Sequence, residues 1–231
     1  MLIDLLTRYY KSIKGVDLEL DRNFRSAELF CILFPYSLAL IRGVLFYLTK
    51  FSWPKLLFIG RNFRTRYKLG IEFGRGVKIG DNCFIDAVAF KKIAIGDGSS
   101  LGNNVEIICT AVLNHKGQGL TIGNYVGLNN NCVLHCQGGL SIGDNSILGP
   151  NVFISSENHG FDGVKLIREQ NVIRKPVFIG RNCWLGANVT VLSGVAICDN
   201  AVIAAGAVVT KNIEKAGVYI GSPARLFRAF E

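Results

Sequence analysis

Aliphatic residues recur at every sixth position along much of the carboxyl-terminal half of this 231-residue chain. The longest uninterrupted run of such positions comprises Ile179, Leu185, Val191, Ile197, Ile203 and Val209. A shorter run comprises Ile142, Leu148 and Ile154. A period of six fits neither an amphipathic helix nor a simple alternating strand. It fits short strands with inward side chains, each followed by a turn at which glycine or asparagine accepts unusual dihedral angles.

The dipeptide Ile-Gly marks the same repeat, in FIGRNF, KIGDNC, AIGDGS, TIGNYV, SIGDNS and FIGRNC. Three such hexads that return to their starting point make one coil, and stacked coils bury a continuous aliphatic core. The 26 glycines accompany 49% hydrophobic residues, so they indicate many tight turns rather than disorder. The sequence therefore predicts a mainly β solenoid.

Two insertions interrupt the repeat. Residues 113–119, LNHKGQG, form a short one, and residues 155–176 form a longer one before the repeat resumes at VFIG. Breaks in a solenoid are expected to project from it as loops, and functional residues are often found on loops held by a rigid scaffold. The longer insertion contains His159, one of three histidines in the chain.

The hexads, together with the stretch that runs from RNCWLG to GSPAR, resemble the hexapeptide-repeat acyltransferases. The resemblance covers roughly three quarters of the chain, residues 57–231. It implies a left-handed parallel β-helix. The resemblance does not cover residues 1–56, which we predict to form a basic, apolar α-helical segment. It also implies an acetyl-CoA-dependent enzyme that forms a homotrimer and needs no metal ion.

The sequence NHGF resembles the histidine-bearing loop of the sugar O-acetyltransferases in this family. This implies that His159 is the general base that takes the proton from an acceptor hydroxyl. The nearest carboxylates on either side, Glu157 and Asp162, are both candidates to orient the imidazole. Related sequences often carry an acid immediately before the histidine, where this chain has Asn158. The alternative interpretation of His159 is a solvated loop histidine.

A metal centre is the less favoured interpretation of the histidines. The γ-class carbonic anhydrases, which share the fold, carry two histidines five residues apart and a third elsewhere. His115, His135 and His159 are instead 20 and 24 residues apart. This spacing differs from the ligand pattern of that zinc site, so we expect no bound metal.

The carboxyl-terminal stretch resembles the coenzyme A-binding coils of the same acetyltransferases. The resemblance assigns eight residues to the donor site: Trp184, Ala187, Ala205, Gly206, Lys211, Pro223, Ala224 and Arg225. Of these residues, Ala187, Ala205 and Gly206 would let the narrow pantetheine arm lie close to the backbone. Pro223 and Ala224 would border the adenine. The cations of the set are candidates for binding the coenzyme phosphates. The aromatic residue would lie beside the pantetheine arm or the acceptor groove, with a place in the core as the alternative.

The amino-terminal segment carries most of the formal net charge of +9. Residues 1–70 contain 12 Lys or Arg against 5 Asp or Glu. Residues 29–49 are mostly apolar, but Pro35 and Arg42 interrupt them, which favours a core or interfacial helix over a spanning one. The flanking cations favour peripheral contact with an anionic membrane. Packing against the prism or a partner subunit is the alternative.

Seven cysteines, an odd number without a CxxC motif, argue against a disulfide framework. Three of them, Cys83, Cys132 and Cys183, each lie two residues before an aliphatic residue, so we predict that they are small buried side chains. Free thiols indicate a reducing compartment. We therefore expect a cytoplasmic protein, with the inner face of the cytoplasmic membrane as its site of peripheral attachment.

The family resemblance, together with these features, implies an O-acetyltransferase that moves an acetyl group from acetyl-CoA to a sugar hydroxyl. The expected acceptor is a cell-surface polysaccharide or its lipid-linked precursor. A small-molecule acceptor, such as serine, an amino sugar or a sugar nucleotide, is the alternative because the donor half would be the same. Nucleic acid is not an expected partner.

Overall fold

The computed structural model describes residue 11, residues 24–110 and residues 115–230. An α-helix, α1 (Ser26–Thr49), directly precedes a solenoid of short strands. The chain visits three parallel sheets in the same order from coil to coil, so the solenoid is a three-sided prism. The mainly β architecture predicted from the hexads is confirmed. The amino-terminal helix is present as α1, while residues 1–10 and 12–23 of the predicted helical segment lie outside the described residues.

Sheet A contains β1 (Leu57–Ile59), β4 (Val77–Ile79), β7 (Ser100–Leu101), β10 (Gly127–Leu128), β13 (Ile147–Leu148), β18 (Trp184–Leu185), β21 (Ala201–Ile203), β23 (Gly217–Ile220) and β24 (Arg225–Ala229). Sheet B contains β2 (Arg64–Arg66), β5 (Phe84–Asp86), β8 (Glu106–Ile108), β11 (Val133–His135), β14 (Phe153–Ser155), β19 (Thr190–Val191) and β22 (Val208–Val209). Sheet C contains β3 (Ile71–Phe73), β6 (Ile93–Ile95), β9 (Leu120–Ile122), β12 (Leu140–Ile142), β17 (Val177–Ile179) and β20 (Ala196–Ile197). In sheet A, β24 pairs antiparallel with β23. A separate antiparallel hairpin is formed by β15 (Glu157–His159) and β16 (Val172–Arg174).

The aliphatic residues of the hexads form the core of the prism. Leu148 lies in register between Leu128 and Leu185 of the neighbouring coils, and all three are buried. Every hexad position from Ile179 to Val209 is also buried, which confirms the interpretation of the six-residue period. The core is thus a stack of matching aliphatic side chains along the prism axis.

The buried cysteines also agree with the sequence prediction. Cys83, Cys132 and Cys183 are buried and free. Burial raises the pKa of each of these thiols above its usual value. Since the thiolate is the reactive form, these cysteines serve as small packing residues.

The corner between sheets A and B, which we call the AB corner, keeps one geometry from coil to coil. Asn104, Asn131, Asn151 and Asn188 occupy it in successive coils, each with a positive φ between 57° and 60°. Their side-chain amides form a ladder of hydrogen bonds 3.0 to 3.1 Å long. Asparagine tolerates this left-handed conformation better than most other non-glycine residues.

The corner between sheets B and C, which we call the BC corner, is irregular by contrast. The short insertion follows β8 and precedes β9, and the long insertion follows β14 and precedes β17. Both insertions therefore leave the prism at the same corner. The long one contains the β15–β16 hairpin and a short 3₁₀ helix (Ile167–Glu169) rather than only loop.

The carboxyl-terminal half of α1 closes the amino-terminal end of the prism. Gly43 lies so close to the first coil that a Cβ atom there would be 1.9 Å from the carbonyl oxygen of Leu57. Tyr47 is buried, and the ring of Phe46 lies 5.6 Å from that of Phe73. This half of the helix therefore covers apolar side chains that would otherwise face solvent.

Substitution of Leu148 tests the inward direction of the hexad residues. Leu148→Ala should lower the free energy of unfolding by about 2 to 5 kcal/mol, because it leaves a cavity in the stack. The preceding residue, Ile147, points outward and is exposed, so Ile147→Ala should change the free energy of unfolding by less than about 1 kcal/mol. Urea denaturation of both variants gives the comparison, and equal losses would contradict the assignment.

Candidate active site

His159 lies on the antiparallel hairpin that projects from the BC corner. It is opposite Val172 on the partner strand, and Glu157 is opposite Arg174. Because side chains alternate along a strand, His159 and Glu157 point to the same face of the hairpin. The His159 side chain is exposed, and its backbone N–H donates a hydrogen bond to the side-chain oxygen of Asn158 (2.9 Å).

Arg174 joins the two insertions. Its Nε donates to Glu157 Oε2 at 2.7 Å, and its Nη1 donates to the carbonyl oxygens of His115 and Lys116, both at 3.2 Å. The Arg174 and Glu157 side chains are only 14% and 19% exposed. An isolated two-stranded hairpin is marginally stable in water. These contacts, which we call the Arg174 clamp, therefore hold the strand that carries His159.

The two candidate orienting acids already have other partners. Glu157 binds Arg174, while Asp162 Oδ1 accepts hydrogen bonds from the backbone N–H groups of Lys165 and Val164, both at 2.9 Å. These backbone donors hold the pKa of Asp162 below its usual value, so the carboxylate stays charged. Within the described residues, neither carboxylate bonds to the His159 imidazole, and an orienting role stays a prediction for both.

The other two histidines occupy different surroundings. His135 is half-buried on the outer face of sheet B, where its ring meets that of Phe153 edge-on at 5.3 Å. His115 is exposed in the short insertion. Across residues 24–110 and 115–230, no three His, Cys, Asp or Glu side chains are grouped to hold a metal ion.

The small residues predicted for the donor site stack at the AB corner, near the carboxyl-terminal end of the prism. This set, which we call the small-residue strip, comprises Ala187, Ala205, Gly206, Pro223 and Ala224. Gly206 N–H donates to the carbonyl of Ala187, and Ala224 N–H donates to that of Val208, both at 2.8 Å. Gly206 has a φ of 73°, and a Cβ atom there would meet no heavy atom within 4 Å. The strip is therefore open enough for a narrow chain to approach the backbone.

The larger residues predicted for the donor site lie in three places. Trp184 is 56% exposed on the outer face of sheet A, in register between Ile147 and Val202, so it is not a core residue. Arg225 begins β24 beside the strip, and its Nη1 donates to the carbonyl of Ala224 at 2.9 Å. Lys211 follows β22 and therefore lies at the BC corner, away from the strip.

Sheet B separates the candidate base from the small-residue strip within one chain. His159 projects from the BC corner and the strip lies at the AB corner. A strand of three residues, the length of β14, is about 10 Å long. A general base acts on a proton only within hydrogen-bond reach. The two groups thus lie at opposite edges of the same side of the prism.

A family model described as the hexapeptide repeat of succinyl-transferase matches residues 76–109, 119–156 and 176–211. The two gaps between the matched stretches fall at the two insertions of the BC corner. This match, together with relatives named acetyltransferases, confirms the predicted resemblance to the hexapeptide-repeat acetyltransferases.

Named relatives match parts of this chain. It is 39% identical over 89 residues to the galactoside O-acetyltransferase of Escherichia coli K12, covering 38% of this chain and 43% of the relative. It is 35% identical over 130 residues to the galactoside O-acetyltransferase of Lactococcus lactis, covering 56% and 62%. It is 28% identical over 131 residues to Escherichia coli WcaF, covering 57% and 69%. The chain thus spans about half the length of the first curated relatives that it matches.

The solved structure of AntD, an N-acyltransferase from Bacillus cereus, is also similar to this chain. That structure, of a point mutant of AntD, contains coenzyme A and dTDP-4-amino-4,6-dideoxyglucose. The TM-score is 0.51 at 19% sequence identity, and the similarity covers 77% of this chain and 84% of AntD. At this identity the similarity concerns the fold.

Sequence reasoning missed Arg174 and the hairpin. The signal for the hairpin was the β-branched pair Val172–Ile173, which favours a strand inside the insertion. Arg174 gave no such signal, because its partners are 17 to 59 residues away along the chain.

Removing the Arg174 side chain should release the hairpin. In Arg174→Ala, amide hydrogen exchange over residues 157–174 should rise by about tenfold or more, because charge-assisted hydrogen bonds are lost from a partly buried site. Arg168→Ala is the matched control, since Arg168 is an exposed arginine of the same insertion. Mass-spectrometric exchange measures both variants, and unchanged exchange in Arg174→Ala would show that the clamp does not hold the hairpin.

Proposed function

We propose that this protein is an O-acetyltransferase that moves an acetyl group from acetyl-CoA to a sugar hydroxyl. The observation that carries the proposal is an exposed histidine, His159, on a hairpin that the Arg174 clamp fixes to the other insertion of the repeat scaffold. The small-residue strip supports a donor with a narrow arm. The names of the two galactoside O-acetyltransferases support a sugar hydroxyl as acceptor. The proposal includes the left-handed winding of the β-helix.

In the proposed reaction, His159 acts as the general base. A sugar hydroxyl is a weak nucleophile at neutral pH, so the imidazole takes its proton as the oxygen attacks the thioester carbonyl. The tetrahedral intermediate then collapses and expels the thiolate of coenzyme A, which takes the proton from the imidazolium. No acyl-enzyme forms, so both substrates are bound together, and their proximity supplies much of the acceleration.

On the donor side, the pantetheine arm lies along the small-residue strip. A side chain larger than those of Ala187, Ala205 and Gly206 would fill the open space beside the backbone. Arg225, exposed at the end of the strip, binds a phosphate of the coenzyme. Trp184, exposed on the adjoining face of sheet A, borders the arm or the acceptor.

The same proposal requires a homotrimer. Three prisms with sheet B facing a threefold axis bring the BC corner of one protomer against the AB corner of the next. His159 and Lys211 of one protomer then lie beside the strip of its neighbour. The outer face of sheet B supports this packing, because Phe84, Val133 and Phe153 are only half-buried in the single chain.

We favour a polysaccharide or its lipid-linked precursor as the acceptor. The imidazole of His159 is exposed on a projecting hairpin, which suits a hydroxyl presented by a large molecule. WcaF, whose name refers to colanic acid biosynthesis, supports the same class of acceptor. Serine, an amino sugar or a sugar nucleotide is the alternative, which the acceptor assay distinguishes.

Removal of the imidazole tests the proposed function. His159→Ala should lower turnover by about two to four orders of magnitude, while the Kd for acetyl-CoA should stay within about twofold. Thiol release from acetyl-CoA is measured with galactosides, polysaccharide fragments, serine and amino sugars as acceptors. The control is His115→Ala, because the backbone carbonyl of His115, not its imidazole, binds Arg174.

Full turnover in His159→Ala would remove the base assignment. Loss of turnover in His115→Ala alone would transfer that role to the short insertion. If serine supports thiol release and no sugar does, the acceptor is a small molecule rather than a sugar.

A further inference from the structure

Helix α1 leaves a continuous apolar surface on the side that faces away from the prism. Five large apolar residues, three or four positions apart, are exposed there: Phe34, Leu38, Ile41, Leu45 and Leu48. This spacing puts them along one face of the helix, and we call them the apolar stripe. Soluble monomers rarely expose contiguous apolar patches of this kind without a partner.

Cations are concentrated in the stretch of chain that contains the apolar stripe. Residues 24–70 contain eight Lys or Arg and a single acidic residue, Glu28. Two of the cations, Arg61 and Arg66, pair with Asp81 and Asp86. The other six form no ion pair with a carboxylate in the described part of the chain, and they are Arg25, Arg42, Lys50, Lys55, Arg64 and Lys68. An apolar surface on a stretch of chain with an excess of cations complements an anionic surface that has an apolar interior.

Two highly exposed aromatic residues follow α1 directly in the chain. Phe51 is 98% exposed and Trp53 is 92% exposed. Tryptophan is enriched at the boundary between lipid headgroups and hydrocarbon, where its apolar ring and polar N–H are both accommodated. Together with the stripe, these rings favour a lipid surface over a protein partner.

The contacts of α1 with the prism decide how the helix meets the membrane. Residues 27–49 are long and apolar enough to span a bilayer by length and composition. However, Arg42 Nε donates to the carbonyl of Ile59 at 2.7 Å, and Gly43 has no space for a Cβ atom against Leu57. Lys50 also donates to the carbonyl of Ile71. A helix whose carboxyl-terminal half is fixed to a folded prism suits a position in the plane of the membrane better than a spanning one.

We propose that α1 attaches the protein to anionic membranes, with the apolar stripe, Phe51 and Trp53 inserted at the headgroup boundary. The amino-terminal end of the prism then faces the lipid. In the proposed trimer, sheet B faces the threefold axis, whereas Tyr36 of α1 packs on Phe58 of sheet A with ring centroids 6.0 Å apart. The amino-terminal half of the stripe is thus outside that interface, and this one argument rests on the proposed function.

Co-sedimentation of the full-length protein with vesicles tests the attachment. We expect binding to phosphatidylglycerol-containing vesicles at low salt, release by high salt and weaker binding to pure phosphatidylcholine. The triple variant Leu38→Gln, Ile41→Gln, Leu45→Gln keeps good helix formers but should lower the vesicle partition coefficient by about tenfold or more. The matched control, Ile147→Gln, Val164→Gln, Phe178→Gln, alters three exposed apolar residues elsewhere and should bind like the wild type.

Two results would overturn the proposal: wild-type protein that stays in the supernatant with anionic vesicles at low salt, or unchanged binding by the stripe variant. A changed oligomeric state of the stripe variant in sedimentation velocity, with vesicle binding intact, would assign the stripe to a second copy of the chain. Acetyl transfer to a soluble sugar is measured on the same variants. Its presence or absence reports on the acetyltransferase proposal separately from membrane attachment.

Discussion

The in-register stacking of aliphatic side chains inside the prism determines where every other group lies. Leu148 stacks between Leu128 and Leu185, and a shift of one residue would turn this whole set of side chains outward. Because that shift would expose the core, the register is strongly fixed and each corner recurs at the same point of every coil. Insertions at one corner therefore meet one another, and small residues at another corner form a continuous strip.

The two corners that border sheet B have different physical characters and therefore suit different tasks. At the AB corner, the asparagine ladder and small residues keep the surface regular and open, which suits a narrow substrate arm. At the BC corner, the two insertions leave the prism and the Arg174 clamp fixes them to each other. A rigid scaffold with a clamped hairpin can hold His159 in place although its side chain is exposed.

The six-residue period was sufficient to predict the core and the sheet architecture, because hydrophobic burial repeats with the geometry of the coil. The same period was sufficient to predict the direction of the Trp184 side chain. Trp184 precedes the inward Leu185, so alternation along the strand turns it outward. The Arg174 clamp was not predictable, since it depends on contacts between insertions far apart in sequence. The position of Lys211 at the BC corner, away from the small-residue strip, was not predictable either. It depends on where each strand begins and ends, which the six-residue period does not define.

We propose that an active site needs two protomers, because one chain holds the proposed base and the small-residue strip at opposite edges of sheet B. Complementation between two inactive variants tests it most directly. His159→Ala lacks the base, and Ala205→Trp fills the exposed strip. Co-expressed in equal amounts, they should give a trimer population with about a quarter of wild-type activity, since about three quarters of the trimers are mixed and each mixed trimer has one intact interface out of three. Activity no higher than that of either variant alone, in trimers shown to contain both chains, would contradict the account.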